Sequence, residues 1–298
     1  FTECRFRWSA DWSISKPILV FSGWELIGDF SLIAKNQGVN ILLNIFYGVA
    51  VNAACGFANT VYGAISGFSN NFMVSVRPAI TKSYSMNDFG RLNDLINQAS
   101  KFSFALILLL TVPVIFDGNY IFYLWLKNPP EYTVIFSRFT LLTLIIAVLF
   151  SPIAYAINAT GKNKYISLLH GPALLCILPI TYFALKGNGR PYTPFLITLV
   201  VELVCFNIFP FLLKIVLAEF QLGHYYRKTI LPCCVVISLV FAAVFLANKF
   251  ILFGNPFLQL LFVIIISSMC ICLFSYRLLL SAEERKIILQ KLVSLKRR

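Results

Sequence analysis

Apolar residues fill this chain in long runs separated by short polar segments, and the runs have the length of membrane crossings. A hydrocarbon core about 30 Å thick takes about 20 residues of helix at about 1.5 Å per residue. By that ruler the sequence predicts eight spans, near residues 18–46, 49–76, 102–124, 133–157, 165–185, 193–217, 230–252 and 256–280. The fold class is therefore all-α, a polytopic bundle of about eight transmembrane helices. Pro113, Pro152, Pro172, Pro179, Pro210 and Pro232 fall in or near the ends of spans, where bent helices are expected. Between the second and third spans, residues 77–101 carry Phe89, Leu92, Leu95 and Ile96 at helical spacing, which predicts an amphipathic helix on the membrane surface.

The first two spans depart from the plain pattern. At 100° per residue, Glu25, Asp29, Asn36, Asn40 and Asn44 share a face about 100° wide, the width of an interior-facing stripe. Lys35 lies beside that stripe. In the second span Asn52, Asn59, Gly63, Ser66 and Asn70 share one face in the same way. Polar groups at bilayer depth need partners or water. Two readings follow: the amides bond across the helix pair and hold it together, or the two stripes line a wetted cavity. The number of groups, with two acids and a lysine among them, favours the cavity.

Composition agrees with the span pattern. The chain is 59% hydrophobic and 12% charged, against about 25% charged in soluble domains. Its net charge of +13 would suggest nucleic acid in a soluble protein, but the placement of that charge points to membrane lipids as partners and to no nucleic acid. Of the 25 Lys and Arg residues, only Lys127, Lys186, Arg190 and Lys249 fall in alternate loops, and Lys35 and Arg138 lie within spans. The others sit on the side that holds both ends, which predicts cytoplasmic termini and an even number of crossings. The chain begins at Phe1 without an apolar signal core, so it reads as a piece of a longer protein. The eight cysteines form no CxxC pair and no cluster with histidine, so they predict packing residues, with no metal site and no cofactor.

The polar residues suggest a cargo. Asn, Gln, Asp and Glu offer both donors and acceptors to sugar hydroxyls. Lys35, Arg77 and Arg138 suit phosphate, although Arg138 could instead snorkel to the interface and Arg77 could set topology. Glu202 stands alone in an apolar run, either as an ion-coupling site, with Asp29 a second candidate, or as the partner of a basic group on another helix. His170 and His224 receive no role. No loop is large enough to carry catalytic carboxylates, so an enzyme is not expected, and a membrane-embedded polysaccharide polymerase or transferase is the alternative of another class.

Several segments resemble a known family in order and spacing. They are Phe21-Ser-Gly-Trp24, Gln37-Gly-Val-Asn-Ile-Leu-Leu-Asn44, Val51-Asn-Ala-Ala54, Arg77-Pro-Ala-Ile-Thr-Lys-Ser-Tyr84, Leu124-Trp-Leu126 with Pro130-Glu-Tyr132, and Ala159-Thr-Gly-Lys162. Together they are similar to bacterial polysaccharide-repeat (O-antigen) flippases of the Wzx type, in the superfamily that also holds multidrug extruders and the lipid II flippase. The match runs from about Lys16 to Lys164. The resemblance implies two six-helix bundles facing each other, often with two extra helices. It makes residues 1–16 a cytoplasmic linker, 17–217 the second six-helix bundle, 218–280 the two additional helices and 281–298 a basic cytoplasmic tail. The first bundle would be a missing N-terminal part of the same protein.

The function that the resemblance implies is movement of undecaprenyl-pyrophosphate-linked oligosaccharide across the bacterial inner membrane by alternating access. Other polysaccharide assembly proteins are implied partners, and multidrug extrusion is the alternative within the superfamily. Carried over by position, Glu25, Asp29, Asn36, Asn40, Asn52 and Asn59 would line the central cavity, with Lys35, Asn44 and Arg138 as further candidates. One departure is plain. The lipid II flippase places an acid in its eleventh helix, whereas Tyr165 to Leu185 here contains none, which leaves Glu202 as the substitute for ion coupling.

Overall fold

The computed structural model describes residues 12–251, 254–280 and 285. Among the described residues all regular structure is helical. Six helices come first: α1 (Trp12–Tyr47), α2 (Val49–Ser85), α3 (Phe89–Leu126), α4 (Thr133–Ala159), α5 (Lys164–Lys186) and α6 (Thr193–Val216). A short α7 (Leu222–Tyr225) then continues through a π-helical turn into α8 (Leu231–Phe250), and α9 (Pro256–Phe274) follows. The protein is a multi-pass membrane bundle. Among the described residues seven helical segments are long and apolar enough to cross a bilayer. The eighth long helix, α2, falls short of that apolarity because its polar face dilutes it.

Within the bundle α4 is the central post, packed against α2, α3 and α6. On one flank α1 lies against α5, and on the other α8 and α9 pair with each other against α3. The seam between α1 and α5 is built from small residues. A Cβ on Gly38 would stand 2.4 Å from Leu178 Cδ2, and one on Gly171 would stand 3.2 Å from Ser31 Oγ. In lipid, where no hydrophobic effect drives helices together, such close backbone approach supplies the packing contacts. The turn from α1 to α2 is a single residue, Gly48, at φ +81°, a conformation that a Cβ would disfavour.

The predicted surface helix over 77–101 is not a separate element. Residues to Ser85 complete α2, Asn87 turns at φ 56°, and the Asp88 carboxylate accepts from the Arg91 amide at 3.1 Å to start α3. Leu92 and Ile96 are buried against protein, and the polar residues that follow each of them, Asn93 and Asn97, hold the connection from α6 to α8. Asn93 Nδ2 donates to the Glu219 carbonyl at 3.2 Å, and Asn93 Oδ1 accepts from the Gln221 amide at 3.1 Å. One turn on, Thr229 Oγ1 donates to Asn97 Oδ1 at 2.6 Å. The amphipathic pattern was real, but its apolar stripe found a protein partner instead of lipid. At 38 residues α3 is about 57 Å long, so it reaches well past the hydrocarbon core.

Of the predicted 1–16 linker, residues 12–16 already belong to α1, and 1–11 lie outside the described residues. The predicted basic tail, 281–298, also lies outside them apart from Arg285.

Candidate functional site

Two polar cavities lie along α1, one above the other. The larger, about 370 Å³, is a partly open pocket bordered by α1, α2, α4 and α6 toward the end of the bundle that carries the α5–α6 turn. Helix α1 supplies Lys35, Asn36, Gln37 and Asn40, and α2 supplies Asn59 and Tyr62. The facing wall is Thr140 and Thr143 of α4 with Phe195, Thr198 and Glu202 of α6. The smaller cavity, about 160 Å³, lies toward the α4–α5 turn, where Glu25 and Asp29 of α1 meet Asn158, Asn163, Ser167 and His170. Leu32 borders both.

The hydrogen bonds decide what the larger cavity offers. Thr143 donates to the Phe139 carbonyl at 3.0 Å and Thr198 to the Pro194 carbonyl at 2.8 Å, while Thr140 is bonded to the carbonyls of Phe136 and Ser137. Each hydroxyl hydrogen is thus spent on its own helix, and the remaining oxygen lone pairs are the groups left to face the cavity. On the opposite wall Cys55 Sγ donates to Asn40 Oδ1 at 3.1 Å and accepts from Asn59 Nδ2 at 3.5 Å. This thiol ties α1 to α2, so Asn40 and Asn59 act as helix glue and as cavity wall at once. The amide nitrogen of Asn40 and the amide oxygen of Asn59 keep hydrogen-bonding capacity for a ligand. The cavity therefore presents donors from α1 and acceptors from α4 and α6, with one ammonium, Lys35, among them.

In the smaller cavity Asn163 holds α1 to the start of α5. Its Nδ2 donates to Glu25 Oε1 at 3.2 Å and to the Phe21 carbonyl at 3.1 Å. Across the top of this cavity His170 Nε2 lies 2.7 Å from Glu202 Oε2, so a residue of the smaller cavity is paired with one of the larger. Glu202 of α6 thus faces a histidine of the neighbouring α5.

The structure thus brings Lys35, Asn36, Asn40, Asn59 and Glu202 together and gathers Glu25 and Asp29 in a second group. Asn44 is exposed and Asn52 half-buried, and neither lines either cavity. Arg138 is also elsewhere: its Nε donates to the Ile115 carbonyl at 2.8 Å, beside the point where α3 leaves helical geometry at Asp117. A bend of this kind leaves carbonyls in need of donors. Arg77 is exposed on α2, stacked 3.8 Å from the centre of the Tyr155 ring and hydrogen-bonded to its hydroxyl.

Sequence reasoning missed the threonine wall and the His170 partner. Thr140 with Thr143, and Thr198 with Glu202, stand three and four residues apart, so the angular count used for the first two spans would have found them in the plainer ones. His170 and Glu202 carry no such signal, because counted from the α5–α6 turn they lie at different heights. Among the described residues no group of three or more His, Cys, Asp or Glu side chains is placed to hold a metal ion. No family model, curated protein or solved structure matches this chain.

Proposed function

We propose that this bundle forms part of a transporter that flips a lipid-linked oligosaccharide, with the sugar and pyrophosphate headgroup in the larger cavity and the lipid tail left in the bilayer. The observation that carries this reading is the lining of that cavity: amides of Asn36, Gln37, Asn40 and Asn59 facing threonine oxygens, with Lys35 as the one cation. Sugars offer hydroxyls that both donate and accept, and phosphate calls for a cation. A drug extruder would be served by an apolar, aromatic lining, and here Phe195 and Tyr62 are the aromatic groups among many polar ones. The role is that of a carrier and not of an enzyme.

In this reading the α4–α5 turn and both ends of the chain are cytoplasmic, in the bacterial inner membrane, following the placement of Lys and Arg. Beyond the cavity, α2 keeps an open polar face, with Asn70 and Arg77 exposed. Such a face is costly against lipid. It is accounted for if it borders a water-filled cleft whose other wall is a second bundle of the same protein.

Lys35→Gln and Asn36→Ala, made in the full-length protein in cells, test the reading. Each removes hydrogen-bonding capacity at the headgroup, about 1.5–3 kcal/mol for a charged partner. Surface polysaccharide should fall by about tenfold or more at unchanged membrane abundance. Normal export in both variants would remove the cavity assignment.

A further inference from the structure

On the flank of the bundle away from α1, a partly open groove of about 200 Å³ runs between α3 and the end of α9. One wall is Lys101, Phe102 and Ala105 of α3, and the other is Cys272 of α9 with the residues that follow it. There the helix widens into a π-helical turn, Ser275–Leu279, a feature frequent at functional sites. The lining changes character with depth. At the outer end, on the side of the bundle that carries the α4–α5 turn, stand Lys101 and Tyr276. Deeper in, the lining is apolar, with Phe102 43% exposed beside Ala105 and Cys272.

A second cation joins the outer end from beyond the π turn. Arg285 Nε donates to the Leu280 carbonyl at 3.1 Å and Nη2 to the Arg277 carbonyl at 2.6 Å, and the guanidinium carbon lies 5.6 Å from the centre of the Tyr276 ring. Leu280 and Tyr276 both line the groove, so Arg285 is held at its rim. These two carbonyls occupy two of its five N–H donors, and the others are left for an acceptor. Between the charged end and the apolar floor, Ser275 has a buried hydroxyl with no hydrogen-bond partner. A buried polar group without a partner calls for an explanation.

We propose that the groove binds one anionic phospholipid, with its phosphate between Lys101 and Arg285, an ester carbonyl near Ser275 and an acyl chain over Phe102, Ala105 and Cys272. Basic pockets between transmembrane helices hold lipid headgroups, and each methylene buried along the floor adds to binding. Charge and lining choose this occupant. A zwitterionic phospholipid brings an ammonium to an end that already holds two cations. A lipid-linked sugar needs many hydroxyl partners, and among the described residues Ser275 and Tyr276 are the only hydroxyls in the lining. By touching α3 and α9 together, the lipid braces the α8–α9 pair against α3. The site lies apart from the two cavities along α1 and does not depend on what they carry.

The test is native mass spectrometry of the full-length protein, released from neutral detergent after incubation with equal amounts of dioleoyl phosphatidylglycerol and dioleoyl phosphatidylcholine. One phosphatidylglycerol should stay bound in preference to phosphatidylcholine. A basic residue near the membrane surface contributes about fivefold in affinity for anionic lipid, so Lys101→Gln and Arg285→Gln should each lower retention by about that factor. Arg91→Gln, about 15 Å back along α3, should leave it unchanged. Ala105→Phe, which fills the apolar floor while leaving the charges in place, should abolish retention; should that variant fail to fold, the two glutamine variants decide alone. Retention that ignores the headgroup, or that falls as far in Arg91→Gln as in Lys101→Gln, overturns the proposal. Full retention in a folded Ala105→Phe overturns it as well. So does undecaprenyl phosphate that displaces phosphatidylglycerol at equal concentration, since the groove would then hold a polyprenyl tail.

Discussion

Helix α1 supplies residues to both cavities, and its position depends on how closely it approaches α5 at Gly38. An added methyl there would lie 2.4 Å from Leu178 Cδ2, 2.8 Å from Cδ1 and 3.2 Å from Cγ. Carbon atoms settle at about 3.5–4.0 Å, so Gly38→Ala overlaps one leucine side chain by about 1 Å. Relief comes from forcing Leu178 off its rotamer, about 0.5–1.5 kcal/mol, or from moving α1 outward, and overpacking of this kind costs about 1–3 kcal/mol in total. Helix propensity works the other way, favouring Ala over Gly by about 1 kcal/mol.

The control is Gly23→Ala on the same helix, where nothing lies within 4 Å of the added methyl, so only the propensity gain operates. Unfolding of the full-length protein in mixed detergent should therefore rank Gly38→Ala below Gly23→Ala by about 1–3 kcal/mol. Gly38→Ala combined with Leu178→Ala should recover stability relative to the sum of the single changes, with a coupling of about 1 kcal/mol or more. If the double change is additive within about 0.5 kcal/mol, the close approach of α1 to α5 is wrong. The placement of Lys35 and Asn36 against the threonine wall would then fall with it.

Two further outcomes follow from the hydrogen bonds. Arg138→Met should lower unfolding stability by about 1.5–3 kcal/mol through loss of its bond to the Ile115 carbonyl, while cargo movement per folded molecule stays unchanged; lost movement at unchanged stability would return Arg138 to the cargo site. Cys55→Ala, which removes the bridge between Asn40 and Asn59, should cost about 0.6 kcal/mol by the same unfolding measurement, and Cys55→Ser should restore most of it because a hydroxyl can both donate and accept.

What the sequence could show was set by how local each feature is. Spans were plain because a run of about 20 apolar residues matches the thickness of the hydrocarbon core. The polar stripe of α1 was legible through one helix's own periodicity, and it assigned Glu25, Asp29, Asn36, Asn40 and Asn44, with Lys35 beside them, to one cavity wall. It did not show that a single stripe serves two cavities at different heights, nor that at Asn44 it has already passed beyond the walls. Those are properties of where α4, α5 and α6 stand. The start of α3 was misjudged for a related reason: Leu92 and Ile96 have the pattern of a helix lying on lipid, and only packing shows that protein covers them. Glu202 was visible as a cost without a partner, and His170 acquires meaning only once α5 and α6 are side by side.

The central claim is that the cavity between α1, α2, α4 and α6 carries the headgroup of a lipid-linked oligosaccharide. Its most direct test is translocation of a fluorescent undecaprenyl-pyrophosphate oligosaccharide in liposomes that hold the full-length protein, read by the loss of label accessible to a quencher on one side. The account predicts transfer by the unmodified protein, slowed by about tenfold or more in Lys35→Gln and in Asn36→Ala. Transfer at full rate in both variants, or transport of cationic dyes with none of the lipid-linked sugar, would contradict it.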